Sequence, residues 1–367
     1  MDKKILIICP YPHGIAAGQR LKYEQYFNNW KDNNYNITIS SFFDYSAWNI
    51  LHKKNLFFLK FFYFIKGLIQ RLITLFFIRN YDIVYVFMWV TPIGSSLIEK
   101  LYLKLSKKII YDFDDSIHIV DNFSNNLSIN KITNFFKNKK KYIKLIQYSN
   151  HIIVSSPFHV PYCTLKNIYN KCTYIPCSLD VDYFKSNNKN NYDFNSNDTI
   201  KIGWTGTFTS KIYLESVSNV LIRLNDLINF ELIIISNFTY SLPNIKIRNI
   251  KWNKENEISD LELIDIGIYP LLKNKWSLGK GALKAMQYMA LNIPTVATNY
   301  GTTSKVIDNY KDGILVNNDD EWIDAILYLI NHPIERKLIS KNARNKIIDQ
   351  YSTKALENKY INILNSQ

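Results

Sequence analysis

"DIGIYPLLKNKWSLGKGALKAMQYMALNIPTVAT", residues 265–298, reads as a strand, a loop, a helix and a second strand. The opening Ile-Gly-Ile-Tyr run is apolar with no polar alternation, as a strand covered on both faces requires. Beyond the loop, Leu283, Met286 and Ala290 form an apolar stripe at helical spacing, and the segment breaks at Asn-Ile-Pro before the β-like "PTVAT". Lys280, Lys284 and Gln287 fall at i, i+4 and i+7, which predicts one shared polar face looking away from the sheet.

The same rhythm runs through the chain. "KILIIC", "NITISSF", "DIVYVF", "KKIIYDF", "HIIVSS" and "TYIP" alternate with helical patterns in the first half; "IKIGWTG", "FELIIIS", "IKIRNI", "DIGIYP", "PTVAT" and "GILV" do so in the second. Continuous apolar strands separated by helices predict an α/β chain of two doubly wound, Rossmann-like domains with parallel sheets. The polar, Asn-rich stretch 184–199 separates residues 1–183 from residues 200–350 and is expected to be the linker.

A length of 367 residues suits two domains, and 47% hydrophobic with 15% aromatic residues supplies a core for each. The formal charge of +14 calls for an anionic partner: nucleic acid, an anionic membrane surface or a phosphorylated small molecule. Zinc-finger spacing and RNA-binding aromatic signatures are missing from the sequence, which argues against nucleic acid. Cys9, Cys163, Cys172 and Cys177 have no metal-site spacing and read as reduced thiols of a cytosolic protein, with no metal expected. The apolar run in "MDKKILIICPYP" is too short for a signal-peptide core.

Ligands of doubly wound sheets bind beyond the carboxyl ends of the strands, so the loops after strands carry the candidate residues. Gly279 and Gly281 permit close backbone approach where a helix begins, and Lys280 and Lys284 add charge there; a phosphate or diphosphate fits such a place. Gly206 and Thr207, in "IKIGWTGTFTS", form a turn whose amides and hydroxyls can cradle a phosphate or simply cap a helix near Tyr213. In "PYPHGIAAGQR", Gly18 and Arg20 are candidates for the acceptor side. "YDFDDSIH" places Asp112, Asp114, Asp115 and His118 after a buried strand, where carboxylates can orient sugar hydroxyls or act as a base, and Asp115 can cap a helix.

Residues 55–78, "NLFFLKFFYFIKGLIQRLITLFFI", stand apart. Wound as a helix, Lys60, Lys66, Gly67, Gln70 and Arg71 share one side and an apolar surface covers the rest. Two readings stand open: a helix lying in a bilayer interface, or one buried between sheet and neighbours.

Together, "CPYPHGIAAGQRLKYEQY", "YDFDDSI", "YIPCSLDVDYF", "IGWTGT", the 265–298 stretch and "YKDGILVNNDDEWIDAI" resemble the retaining, family-4 glycosyltransferases of GT-B fold that build bacterial capsule, O-antigen and lipopolysaccharide. The resemblance implies two Rossmann-like domains facing a central cleft. The first would bind the acceptor and the second the nucleotide sugar, with a C-terminal helix in residues 351–367 crossing back to the first. It places Gln287 where the family has a ribose-gripping glutamate, Gly279 where it has a partner glutamate eight positions earlier, and Asp114 where a histidine touches the transferred sugar. Lys280 and Lys284 would then stabilise the nucleoside-diphosphate leaving group, and no cofactor beyond the donor is implied. The implied partners are a nucleotide-sugar donor and a lipid-linked or oligosaccharide acceptor, with peripheral contact at the cytoplasmic face of the inner membrane. A GT-B sugar-nucleotide epimerase and a catalytically silent scaffold are the competing readings.

Overall fold

In a computed structural model, which describes residues 2–51, 53, 55–116, 140–186 and 199–366, the apolar runs of the first half form six parallel strands. They are β1 (Lys3–Cys9), β2 (Tyr35–Ser41), β3 (Ile83–Phe87), β4 (Ile109–Phe113), β5 (His151–Val154) and β6 (Cys172–Tyr174), in the order β2-β1-β3-β4-β5-β6. The β1–β3 register sets Ile5 against Ile83 and Ile7 against Tyr85. Alternation along β1 sends Ile5, Ile7 and Cys9 to one buried layer and Leu6 and Ile8 to the other, so both faces of the sheet are covered.

The second half repeats the plan. β7 (Ile200–Gly206), β8 (Phe230–Ser236), β9 (Lys246–Lys251), β10 (Ile266–Tyr269), β11 (Thr295–Thr298) and β12 (Ile314–Val316) make a parallel sheet ordered β12-β11-β10-β7-β8-β9. Ile202, Trp204, Leu232, Ile234 and Ile268 pack there against Leu214, Leu221, Trp322 and Ile326. All four cysteines are free thiols, and burial pushes Cys9 up to about 12.

The chain divides into a first unit of Met1–Cys177, Leu278–Lys280 and Leu356–Gln367, and a second of Ser178–Ser277 and Gly281–Ala355. The division falls at Ser178, ahead of the expected 183. The reason is hydrogen bonding within the second unit: Leu179 N donates to Tyr351 O at 2.9 Å, Thr353 N to Leu179 O at 3.0 Å, and the Arg344 guanidinium to the carbonyls of Val181 and Phe184. Most of the expected linker, residues 187–198, lies outside the described residues. The closing helix, Thr353–Asn365, contributes Leu356, Tyr360, Ile361, Ile363 and Leu364 to the first unit's core, with the Tyr360 ring 4.6 Å from Tyr26. Lys108 Nζ donates to the carbonyls of Ile363 and Leu364 at 2.9 and 3.1 Å, satisfying the end of that helix.

Residues Phe57–Phe77 form one 21-residue helix, and its orientation is the reverse of an ordinary core helix. Its two buried residues are Gly67 and Arg71, and the aromatic side faces out. Arg71 is fully buried: Nε donates to Val90 O at 2.8 Å, Nη1 to Ser40 O and Oγ at 3.0 and 2.8 Å, and Nη2 to Cys9 O at 2.8 Å. The expected polar side therefore exists, but its centre is the side that docks on the sheet. A buried guanidinium is favourable only while its donors are matched, and these partners are the Ser40 hydroxyl and main-chain carbonyls at the ends of β1 and β2 and after β3.

Replacing Arg71 by Met would remove the guanidinium bonds to the Val90, Ser40 and Cys9 carbonyls, and the expected loss is about 3 kcal/mol or more of the first unit's stability, read as a lower urea midpoint. Arg71→Lys, with three rotatable donors in place of a planar fork, should recover only part of it.

Candidate functional site

In the second unit the site is built from β7 outward. The strand ends at Gly206, and a 3-10 turn, Phe208–Ser210, leads into the short helix Lys211–Glu215. The Trp204 ring lies against Gly206: a Cβ there would begin 2.1 Å from Trp204 Cη2 and 2.6 Å from Ser210 Oγ, so only glycine fits. Ser210 Oγ accepts from Thr207 N at 3.0 Å and donates to Thr207 O at 2.9 Å, while Phe208 N donates to Asn237 Oδ1 at 2.8 Å. Of the two roles open to this turn, capping is the one its bonds perform, because the amides of Thr207 and Phe208 already have acceptors.

Opposite the turn stands the helix Leu283–Ala290. Lys280 and Gly279 lie ahead of it, so the expected three-residue face is corrected: only Lys284 and Gln287 are helical. The backbone prevents an earlier start, since Ala282 takes φ 57°, a left-handed conformation that a right-handed helix cannot include. Nor does the polar face look away from the fold. Tyr288 OH accepts from Thr205 N at 2.9 Å, and one turn earlier Lys284 Nζ donates to Ser210 Oγ at 3.2 Å and lies 4.9 Å from the Trp204 ring centroid. Gln287 is buried, its Nε2 donating to Glu257 Oε1 at 3.3 Å. The helix is short and covered on several sides, so a periodicity that treats Lys and Gln as solvent-facing fails here. Lys211, the other basic residue near the turn, pairs with Glu215 at 2.8 Å.

In the first unit the loops after β1, β4 and β5 hold the remaining candidates. Gln19 fixes the loop after β1, accepting from Tyr11 N at 2.9 Å and donating to Tyr11 O at 3.0 Å; Glu24 accepts from Gly14 N at 2.8 Å. Gly18 lies against Asp114, with a hypothetical Cβ 3.0 Å from Oδ2, and Arg20 ends the short helix Ala17–Arg20. Behind them Lys22 is fully buried: it pairs with Asp112 and donates to Ser155 Oγ at 2.6 Å and Phe113 O at 3.2 Å. Tyr85 OH donates to the same Asp112 carboxylate. Burial, then the neighbouring Asp115 charge, pushes the Asp114 carboxyl up to about 7, with Lys22 and Lys280 opposing. Asp115 sits at φ 54° and pairs with Lys280 at 3.1 Å.

The Leu278–Lys280 segment belongs to this unit. Ser156 Oγ donates to Leu278 O at 2.6 Å, and a Cβ on Gly279 would begin 2.3 Å from Ser116 Oγ and 2.5 Å from His159 Nε2. The structure thus joins Gly18 with Asp114, Lys280 with Asp115, and Gly206 and Thr207 with Ser210 and Lys284. His118 lies outside the described residues. Among the described residues no group of three or more His, Cys, Asp or Glu is placed to hold a metal ion. Sequence reading passed over Lys22, Trp204 and Glu257; of these only Trp204, two residues before Gly206 in a quoted strand, carried a usable signal.

Two outcomes follow from this geometry. Because the folded Asp114 carboxyl titrates above its ordinary 3.8, the stability it contributes is full below about pH 4 and is lost as pH rises through about 7. Urea midpoints from pH 4 to 8 should therefore fall for the native protein relative to Asp114→Asn, in which that position no longer titrates. Gly206→Ala should displace Trp204 or Ser210 and break the Lys284 contact, seen as altered tryptophan fluorescence without global unfolding.

Residues 248–346 match the family described as Glycosyl transferases group 1. Over 92 residues the chain is 34% identical to the poly(ribitol-phosphate) alpha-N-acetylglucosaminyltransferase of Staphylococcus aureus (strain COL), a stretch that is 24% of this chain and spans 18% of that relative's length. Sucrose-phosphate synthase from Thermosynechococcus elongatus superposes with a TM-score of 0.68 at 12% identity, covering 99% of this chain and 98% of its own. Anabaena HepE in complex with UDP and glucose gives 0.68 at 10% identity, covering 100% of both chains. The chain therefore has the GT-B fold, with two parallel six-stranded sheets, and its second unit carries the match to glycosyl transferases group 1.

Proposed function

We propose that this protein is a glycosyltransferase that moves a sugar from a nucleoside-diphosphate sugar onto a bacterial surface glycan, carried on a lipid or free as an oligosaccharide, with retention of anomeric configuration. The group 1 match over residues 248–346 supports the reaction class, and the HepE complex shows UDP and glucose on a chain of the same fold. The observation that carries the proposal in this chain is Lys284, held over Trp204 and beside Ser210 at the carboxyl end of β7.

The chemistry follows from charge. Cleavage of the bond between sugar and diphosphate leaves negative charge on the phosphate oxygens, and a fixed ammonium there stabilises the transition state more than the ground state. Lys284 is the cation for this role. The weak contact to Ser210 is one a phosphate oxygen can replace. Lys280, already paired with Asp115, contributes less to the donor and more to the Asp114–Asp115 pair. Gln287 and Glu257 form a hydrogen-bonded pair that can reach ribose hydroxyls once Gln287 turns. Asp114, titrating near neutral pH, can donate to or accept from a sugar hydroxyl, and Gly18 leaves room beside it. Arg20 is the candidate cation for an acceptor phosphate.

Calorimetric titration of UDP tests the donor assignment. Lys284→Ala should weaken binding by about 1.5–3 kcal/mol, as for loss of a charge-assisted bond, and Lys280→Ala by less. Unchanged affinity in Lys284→Ala would refute it. Incubating the protein with nucleotide sugars and a glycan acceptor separates reaction classes: a transferase extends the acceptor, an epimerase interconverts free donors, and a scaffold does neither.

A further inference from the structure

The Phe57–Phe77 helix leaves a continuous apolar stripe in solvent. Phe58, Phe62, Ile65, Ile69, Ile73 and Phe76 recur at three- and four-residue intervals along one side, and Phe58 and Phe76 are 87% and 85% exposed. The stripe runs over the 19 residues from Phe58 to Phe76, about 27 Å at the helical rise. Its opposite side is fixed by Gly67 and Arg71, so the exposed face cannot turn inward without breaking the Arg71 bonds.

The helix is long and apolar enough to cross a membrane, with a mean hydropathy of 1.6 over its most apolar stretch, yet only 17% of that stretch is buried in the protein. Crossing is excluded by the same Arg71 anchor: a spanning helix would carry the sheet edge at Cys9 and Ser40 into hydrocarbon with it. Lying flat satisfies both sides, with the aromatics toward acyl chains and the anchored side on the domain.

Charge selects the kind of surface. Residues 1–177 hold 23 Lys and Arg against 10 Asp and Glu, a formal +13, whereas residues 178–367 hold 22 against 21. Nearly all the excess charge is on the half of the chain that carries the helix. Beside it runs the helix Leu97–Leu105, joined to it by Tyr102 OH donating to Arg71 O at 3.0 Å, which exposes Leu97 together with Lys100 and Lys104. Lys66 and Arg79 on or just after the long helix are exposed as well. Apolar aromatics flanked by cations match an anionic lipid headgroup region overlying acyl chains.

We infer that the outward face of Phe57–Phe77 is a membrane-docking surface that lies in the plane of an anionic phospholipid bilayer, with Lys100 and Lys104 on its headgroup flank. The inference is independent of the glycosyl-transfer reading, since it uses no residue of the candidate site.

Flotation of the full-length protein with vesicles tests it. The protein should rise with phosphatidylcholine vesicles containing phosphatidylglycerol, less with phosphatidylcholine alone, and less again at high salt. Joint replacement of Phe58, Phe62, Ile69 and Phe76 by Ser should reduce recovery to the level seen without vesicles while leaving UDP affinity at the native value. Lys100→Glu with Lys104→Glu should remove the preference for phosphatidylglycerol, a readout that does not depend on the apolar variant. Failure to float with either vesicle, unimpaired flotation of the Ser variant, or a dimer by light scattering that the Ser variant abolishes would overturn the inference, the last by making the face a contact between copies.

Discussion

An all-parallel sheet collects the carboxyl ends of its strands along one edge, and that constraint places most of the candidate residues in this protein. Gly18 follows β1, Asp114 and Asp115 follow β4, Ser156 and His159 follow β5, Gly206 ends β7 with Thr207 after it, and Leu278–Lys280 follows β10. The strands themselves hold almost no chemistry because both faces are covered. Polar groups at these edges are then fixed by each other: Lys22 by Asp112 and Ser155, Lys280 by Asp115, Lys284 by Ser210. Such pre-set charges need little rearrangement when a substrate's charge arrives, which is the condition under which electrostatic stabilisation is most effective.

The same first unit solves a different problem with Arg71. A sheet covered by helices ordinarily takes their apolar sides, yet the long aromatic helix docks through a guanidinium and a glycine. Arg71 donates to three main-chain carbonyls, of which Cys9 O also accepts from Phe42 N at 2.9 Å, and its guanidinium carbon lies 5.6 Å from the Phe42 ring centroid. The aromatic side is thereby released for an outside partner. Fold stability and surface chemistry are tied through one side chain.

How much of this could be read from the residues differs by element. The twelve described strands coincide with runs picked out by the sequence pattern: the inner ones are apolar and largely β-branched because both their faces are covered, whereas β2 and β9, at the sheet edges, carry exposed polar residues. Helix facing was less legible. Lys280 has the right spacing to join Lys284 and Gln287, but the left-handed Ala282 starts the helix after it, and backbone conformation leaves no trace in a hydrophobic pattern. Arg71 reads as one member of a polar side, and its burial depends on carbonyls from distant segments. Residues 178–183 read as the close of the first domain, and hydrogen bonds with Arg344, Tyr351 and Thr353, far along the chain, make them part of the second unit. Lys22 shows the same limit, since its partners Asp112 and Ser155 are brought to it by strand order alone.

A donor diphosphate should replace Ser210 as the partner of the Lys284 ammonium. A crystal structure of the protein grown with UDP tests it most directly. A phosphate oxygen is expected within about 3 Å of Lys284 Nζ, the distance of a charge-assisted hydrogen bond. A diphosphate lodged elsewhere, with Lys284 still resting on Ser210 and Trp204, would contradict it.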